Sequence, residues 1–178
     1  MEKINMREIL EIIRKMQTSK VSNYVIAGLD SYLLENGNVR VFKNNRNHQD
    51  QITPHSHRFD FTCLVLNGYV INKVWTECTG KDGDLFQLSE LIYSGDIGEH
   101  RKKPISNKSF SFNMTTYKTG QTYSMKAEEI HSIEFSKGAV VLFFEGPTVR
   151  EESLIIEPVV NGEVVPTYEK KSYMFKRD

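Results

Sequence analysis

The sequence predicts an all-β barrel or sandwich led by a single helix. Three observations carry that expectation. Helical periodicity is confined to the start of the chain. Short apolar runs with period two fill most of the rest. Asn-Gly pairs and other turn clusters separate those runs at close intervals.

Ile9, Leu10, Ile12, Ile13 and Met16 recur at helical spacing, which predicts an amphipathic helix over residues 4–17. "SYLLENGNVRVF" reads as a hairpin around an Asn-Gly turn, and "NNRNHQDQ" as a polar loop. "FDFTCLVLNGYVINKVW" reads as a second hairpin turning at Asn67-Gly68. "TGKDGD" is a turn cluster. Residues 85–106 are the least regular stretch and read as a long excursion holding a short strand or helical turn. "SFSFNMTTY", "TYSMKAEEIHSIEF" and "AVVLFFEGP" then alternate with the turns "KTGQ" and "SKG". "SLIIEPVVNGEVVPTY" adds a strand and another Asn-Gly hairpin. Trp75, Phe110, Phe112, Phe143 and Phe144 are placed in the core by the period of two. The charged tail from 167 to 178 is expected to fray or to clasp the barrel. The division expected is one domain over 1–178, with the barrel at about 25–166.

Composition excludes several classes. Lys plus Arg equals Asp plus Glu at 23 each, so bulk charge gives no reason to expect a nucleic-acid or membrane partner. The first residues interleave charges with apolar positions and do not read as a secretory signal. Two cysteines, Cys63 and Cys78, make no disulfide scaffold and no CxxC pair. A cytoplasmic, reduced protein is expected. No phosphate-cradling loop and no nucleophile elbow is present. The partner expected is a small molecule. A homodimer is plausible on the ground of exposed sheet edges.

The chemistry concentrates in "PHSHRFDF". Residues two apart on a strand share a face. His55, His57, Phe59, Phe61, Cys63 and Val65 therefore form one face, two imidazoles followed by an apolar wall. Arg58 and Asp60 fall on the other. Neutral imidazoles bind divalent metals, and an apolar wall excludes water. His131, in a later β-rich run, would complete a facial triad with open coordination positions. Asp60 would join the metal only through a β-bulge after His57, giving a His-His-carboxylate set. Otherwise Asp60, Arg58 and Glu134 read as a polar network behind the strands. Tyr123 and Tyr117 could donate to bound oxygen or substrate, and Arg150 could clamp a substrate carboxylate. His48 and His100 read as solvated loop residues, with His48 a reserve ligand.

These residues resemble the cupin superfamily. Its first motif runs G, five residues, HxH, three or four residues, E, six residues, G. His55, His57 and Gly68 fall on it, with Phe61 at the glutamate position and Gln49 at the leading glycine. The second motif is G, five residues, PxG, two residues, H, three residues, N. Gly120 and His131 match it, while Lys126, Glu128 and Phe135 take the proline, second-glycine and asparagine places. The resemblance spans roughly 50–147. "HSHRFDF" with a later "IHSIEF" and "GP" also looks like uncharacterised cupins near the cysteine dioxygenase group, which binds iron through three histidines and no carboxylate. The resemblance implies a jelly-roll-like barrel and a divalent metal, Fe(II) in first place, on His55, His57 and His131. It implies a dioxygenase or related oxygenase acting on a small molecule. In that group a cysteine near the iron can crosslink to a tyrosine; Cys63 is displaced by one residue from that pattern. Two alternatives stay open: a cupin that binds ligand or partner without turnover, and a sugar epimerase or isomerase with His57 or His131 as base.

Overall fold

The computed structural model describes residues 6–35, 37–46, 52–79, 83–93 and 100–165. Among the described residues, helix α1 (Met6–Met16) precedes twelve strands. These are β1 (Gln17–Val21), β2 (Leu29–Leu34), β3 (Val39–Asn44), β4 (Phe59–Asn67), β5 (Tyr69–Glu77) and β6 (Asp84–Tyr93). They continue with β7 (His100–Lys118), β8 (Thr122–Met125), β9 (Ile130–Phe135), β10 (Val140–Thr148), β11 (Glu152–Val160) and β12 (Glu163–Val164). The strands form two antiparallel six-stranded sheets, ordered β1-β2-β3-β10-β4-β8 and β12-β11-β6-β7-β5-β9. The tail from 167 and His48 lie outside the described residues. No helix among the described residues is long and apolar enough to cross a membrane.

The sheets do not share a strand, so the closed barrel expected from sequence is corrected to two sheets packed face to face. Their shared core joins Phe61, Cys63 and Val65 of β4 and Phe143 of β10 to Val70 of β5 and Ile133 of β9. The second sheet is apolar on its other face too, where Phe86, Phe110, Ile130 and Ile156 pack with Trp75. Phe112 and Phe144, expected in the core, are 45% and 40% exposed. Period two places a residue on a face; it does not say that the face is covered there.

The helix ends at Met16, one residue before the sequence suggests, and residues 4 and 5 lie outside the described residues. Ile13 is buried and Leu10 partly buried against Leu34, Val39, Val41 and Val140 of the first sheet. Met16, expected on that apolar stripe, is exposed.

Two turn expectations separate. Asn161 and Gly162 both have positive φ (53° and 82°), the requirement of a type I′ hairpin, and β11 pairs with β12 across them. Asn67-Gly68 instead carries the chain from one sheet to the other. β4 pairs with β10 and β8, and β5 with β7 and β9. The residues read as an excursion are two long strands: β6 and β7 pair from Asp84↔Phe110 to Tyr93↔His100.

One short stretch ties β9, at one end of the second sheet, to β11 near the other. Pro54–Ser56 lies between β9 and β11, with isolated bridges from His55 to His131 and to Ile155. His55 and His131 exchange both backbone hydrogen bonds at 2.9 Å. Ser56 N donates to Leu154 O at 2.8 Å, and Ile156 N to Pro54 O at 3.1 Å.

Candidate metal centre

The histidine stretch is extended for local reasons. Pro54 biases Thr53 away from helix, and period two then points His55 and His57 to one side. The bridge to β9 places His131 directly opposite His55. The three side chains meet. Their available ligand atoms all lie within 4.8 Å of one another. His57 Nε2 stands 3.0 Å from His131 Nε2. Two cis ligands about 2.1 Å from one metal sit about 3.0 Å apart, so this spacing suits a shared ion.

Two of the rings have a fixed orientation. His55 Nδ1 lies 2.7 Å from Thr53 O. A carbonyl only accepts, so Nδ1 carries the proton and Nε2 keeps its lone pair. His131 Nδ1 lies 2.8 Å from Asn72 Oδ1, with the same result. Fixing the far nitrogen of a ligating imidazole in this way is how proteins orient metal ligands.

The surroundings are apolar. Phe61, at the motif's glutamate position, is buried, with its ring 4.6 Å from that of His57 and 5.3 Å from that of His131. Phe59 and Phe143 flank His57 at 5.5 and 6.0 Å. Burial holds His57 and His131 well below the ordinary imidazole pKa, and the neighbouring histidines add to the shift. His55 is lowered by burial as well, partly offset by its bond to the Thr53 carbonyl. All three imidazoles are therefore neutral near pH 7, the form that binds metal.

The remaining sequence candidates sit apart from this convergence. Asp60 faces the other way: Lys126 Nζ binds its carboxylate at 2.7 Å and Ala127 N at 2.9 Å. The Lys126 hydrogen bond, then the Ala127 N–H, holds its pKa low. The strand irregularity nearby lies in β10, between Glu145 and Thr148, and leaves the parity of β4 intact. Nor do Asp60, Arg58 and Glu134 share one network, because Glu134 pairs with Lys73 at 2.6 Å on the other sheet. Arg150 stands 3.6 Å from Glu152.

Cys63 and Tyr123 are direct cross-strand partners on β4 and β8. Burial pushes the Cys63 thiol up to about 12, and raises Tyr123 well above its usual range. Phe61 stands between this pair and the histidines, 6.4 Å ring to ring from Tyr123. Tyr117 stacks on Tyr123 at 4.6 Å. His100 opens β7 and is not in a loop. Thr53, Asn72 and Phe143 escaped the sequence reading as site residues. Only Asn72 left a trace there, as a lone amide on the apolar face of Val70 and Val74.

No family model matches the sequence, and no curated protein matches it. Similar solved structures include the Drosophila melanogaster CENP-C cupin domain, with 8% identity over 79% of this chain and 95% of that chain, at a TM-score of 0.44. The Fe(II) form of HppE is 10% identical over 72% of this chain and 55% of its own, at a TM-score of 0.41. Hydroquinone 1,2-dioxygenase PnpCD, in complex with Cd2+ and 4-hydroxybenzonitrile, is 16% identical over 79% of this chain and 72% of its own, at a TM-score of 0.35. At these scores none of the three carries an argument about what this chain does.

Proposed function

We propose that His55, His57 and His131 hold one divalent transition metal, Fe(II) in first place, and that the centre oxidises a small molecule with dioxygen. The observation that carries this is the convergence of three neutral imidazoles within 4.8 Å, His131 buried and His55 and His57 half-buried, two of them with the far nitrogen committed to a protein acceptor. The donor set fits: imidazole suits iron, zinc, copper and nickel, and three ligands leave positions open. When bound, such a metal supplies those open positions for dioxygen and substrate.

The chain's own residues do the rest. Thr53 and Asn72 orient two of the ligands. Phe59, Phe61 and Phe143 keep bulk water from the cluster and let no carboxylate enter at the motif's glutamate position. In this reading the site follows the three-histidine cupins that the motif resembles. Cys63 and Tyr123 form a layer behind Phe61, and Asp60 serves the β4–β8 edge. The free thiols of Cys63 and Cys78 suit the reduced, cytoplasmic setting proposed for it.

A second reading, ligand binding without turnover, draws on the 3.0 Å contact of His57 with His131, which joins the two Nε2 atoms without metal. A His-base isomerase is weaker, because burial makes these imidazoles poor bases. The test is metal analysis of protein purified without chelators, followed by anaerobic Fe(II) reconstitution and oxygen-uptake assays. One iron per chain, lost in His55→Ala and His131→Ala with the fold intact, supports the centre. Oxygen uptake separates oxygenase from binding module. Substoichiometric metal that reconstitution does not raise overturns the metal reading.

A further inference from the structure

Asn72 projects from β5 into the shared core, 2% exposed, between Val70 and Val74 on the same face. A buried amide is costly unless both its ends are bonded. Its Oδ1 lies 2.8 Å from His131 Nδ1, and its Nδ2 donates to Met125 Sδ at 3.4 Å.

The sulfur decides which way the amide lies. The opposite orientation would set the amide oxygen against the thioether, two lone-pair atoms in contact. It would also aim the NH2 group at His131 Nδ1. His131 would then carry its proton on Nε2, the atom facing His57, and would have no lone pair there for a metal. A single sulfur acceptor on β8 therefore sets a proton position on β9 through an amide on β5. We propose that Asn72, oriented by Met125, is the positioning residue that makes His131 Nε2 a metal ligand. The proposal rests on the three-histidine reading of the site.

The experiment is a titration with Co(II), read by its visible absorption and by competition with a chromophoric chelator, alongside nitrogen NMR of the histidines in metal-free protein. Asn72→Leu removes the acceptor at similar volume and should weaken Co(II) binding roughly 10- to 100-fold. Asn72→Asp keeps an acceptor for His131 and should hold Co(II) within a few-fold of wild type, or tighter. Met125→Leu frees the amide to turn, so the His131 signal should become a mixture of tautomers where wild type shows Nδ1–H alone. Failure of wild type to bind Co(II) sinks the metal reading itself. Wild type that binds, with Asn72→Leu binding equally well, sinks the positioning role alone. So does a tenfold loss in Asn72→Asp, which needs no stable Asn72→Leu. Nε2–H on His131 in the wild-type protein, or an unchanged Nδ1–H in Met125→Leu, overturns the proposed lock.

Discussion

His131 is buried and His57 half-buried, and folding must keep both bases neutral. Their pKa is depressed in the folded protein, whereas the unfolded chain titrates near the ordinary 6.5. Below that value the unfolded state binds more protons, so the stability they contribute is intact above about pH 6.5 and is lost as pH falls. Metal-free protein should lose up to about 1.4 kcal/mol per pH unit for each such histidine. Urea melts between pH 7.5 and 5.0 check this, and equal midpoints would contradict it. Phe61 fills space against His57, His131 and Phe143, so Phe61→Ala should cost about 3–5 kcal/mol, read from the same melts. At this scale the clustering of His55, His57 and His131 was legible, because motif spacing and strand parity are local properties. The Cys63–Tyr123 pair was not, since it depends on the register of β4 against β8. Asn72 escaped for the same reason: an amide on an apolar face has meaning only once its partner across the sheet is known.

Individual elements show how far local signals reach. Asn67-Gly68 carries the same dipeptide as Asn161-Gly162, yet one turns between sheets and the other closes a hairpin. Gly68 has φ +73°, and a Cβ there would stand 2.6 Å from Ser136 Oγ; at Gly162, φ +82°, nothing lies within 4 Å. Gly68→Ala should therefore destabilise by about 1–3 kcal/mol and by more than Gly162→Ala, measured by thermal melts of both. Equal losses would mean that Ser136 moves aside freely. Residues 85–106 hid two strands because their signals conflict. Pro104 reads as a breaker, yet it sits opposite the register shift between Leu88 and Ser89, where a proline is tolerated. Lys102 and Lys103 spoil the apolar alternation, but Lys102 answers Glu157 on β11, one strand beyond β6, and Lys103 answers Glu90 on the adjacent β6.

Across the whole molecule, the all-β class was legible from many short runs and tight turns, and the pairing order was not. β6 and β11, which lengthen the second sheet, belong to segments far apart in sequence and carry no mark of each other. If a metal binds only the folded chain, excess metal adds stability by mass action. At 100 times its dissociation constant the gain is about 2.7 kcal/mol, or roughly 5–10 °C in Tm for a chain of this size. Calorimetry with and without Zn(II) should show this rise in wild type and none in His131→Ala.

His55 gives the centre a mechanical side. Its ring is a proposed ligand while its backbone bridges β9 and β11, so one residue belongs both to the chemistry and to the seam. An ion clamping His55 to His131 would suppress local opening of that seam. The amides of Ser56, His131 and Ile156 would then exchange with solvent more slowly in the loaded protein, while those of β2 and β3 would not change. Metal loss would register first as a gap in the sheet, before any global unfolding.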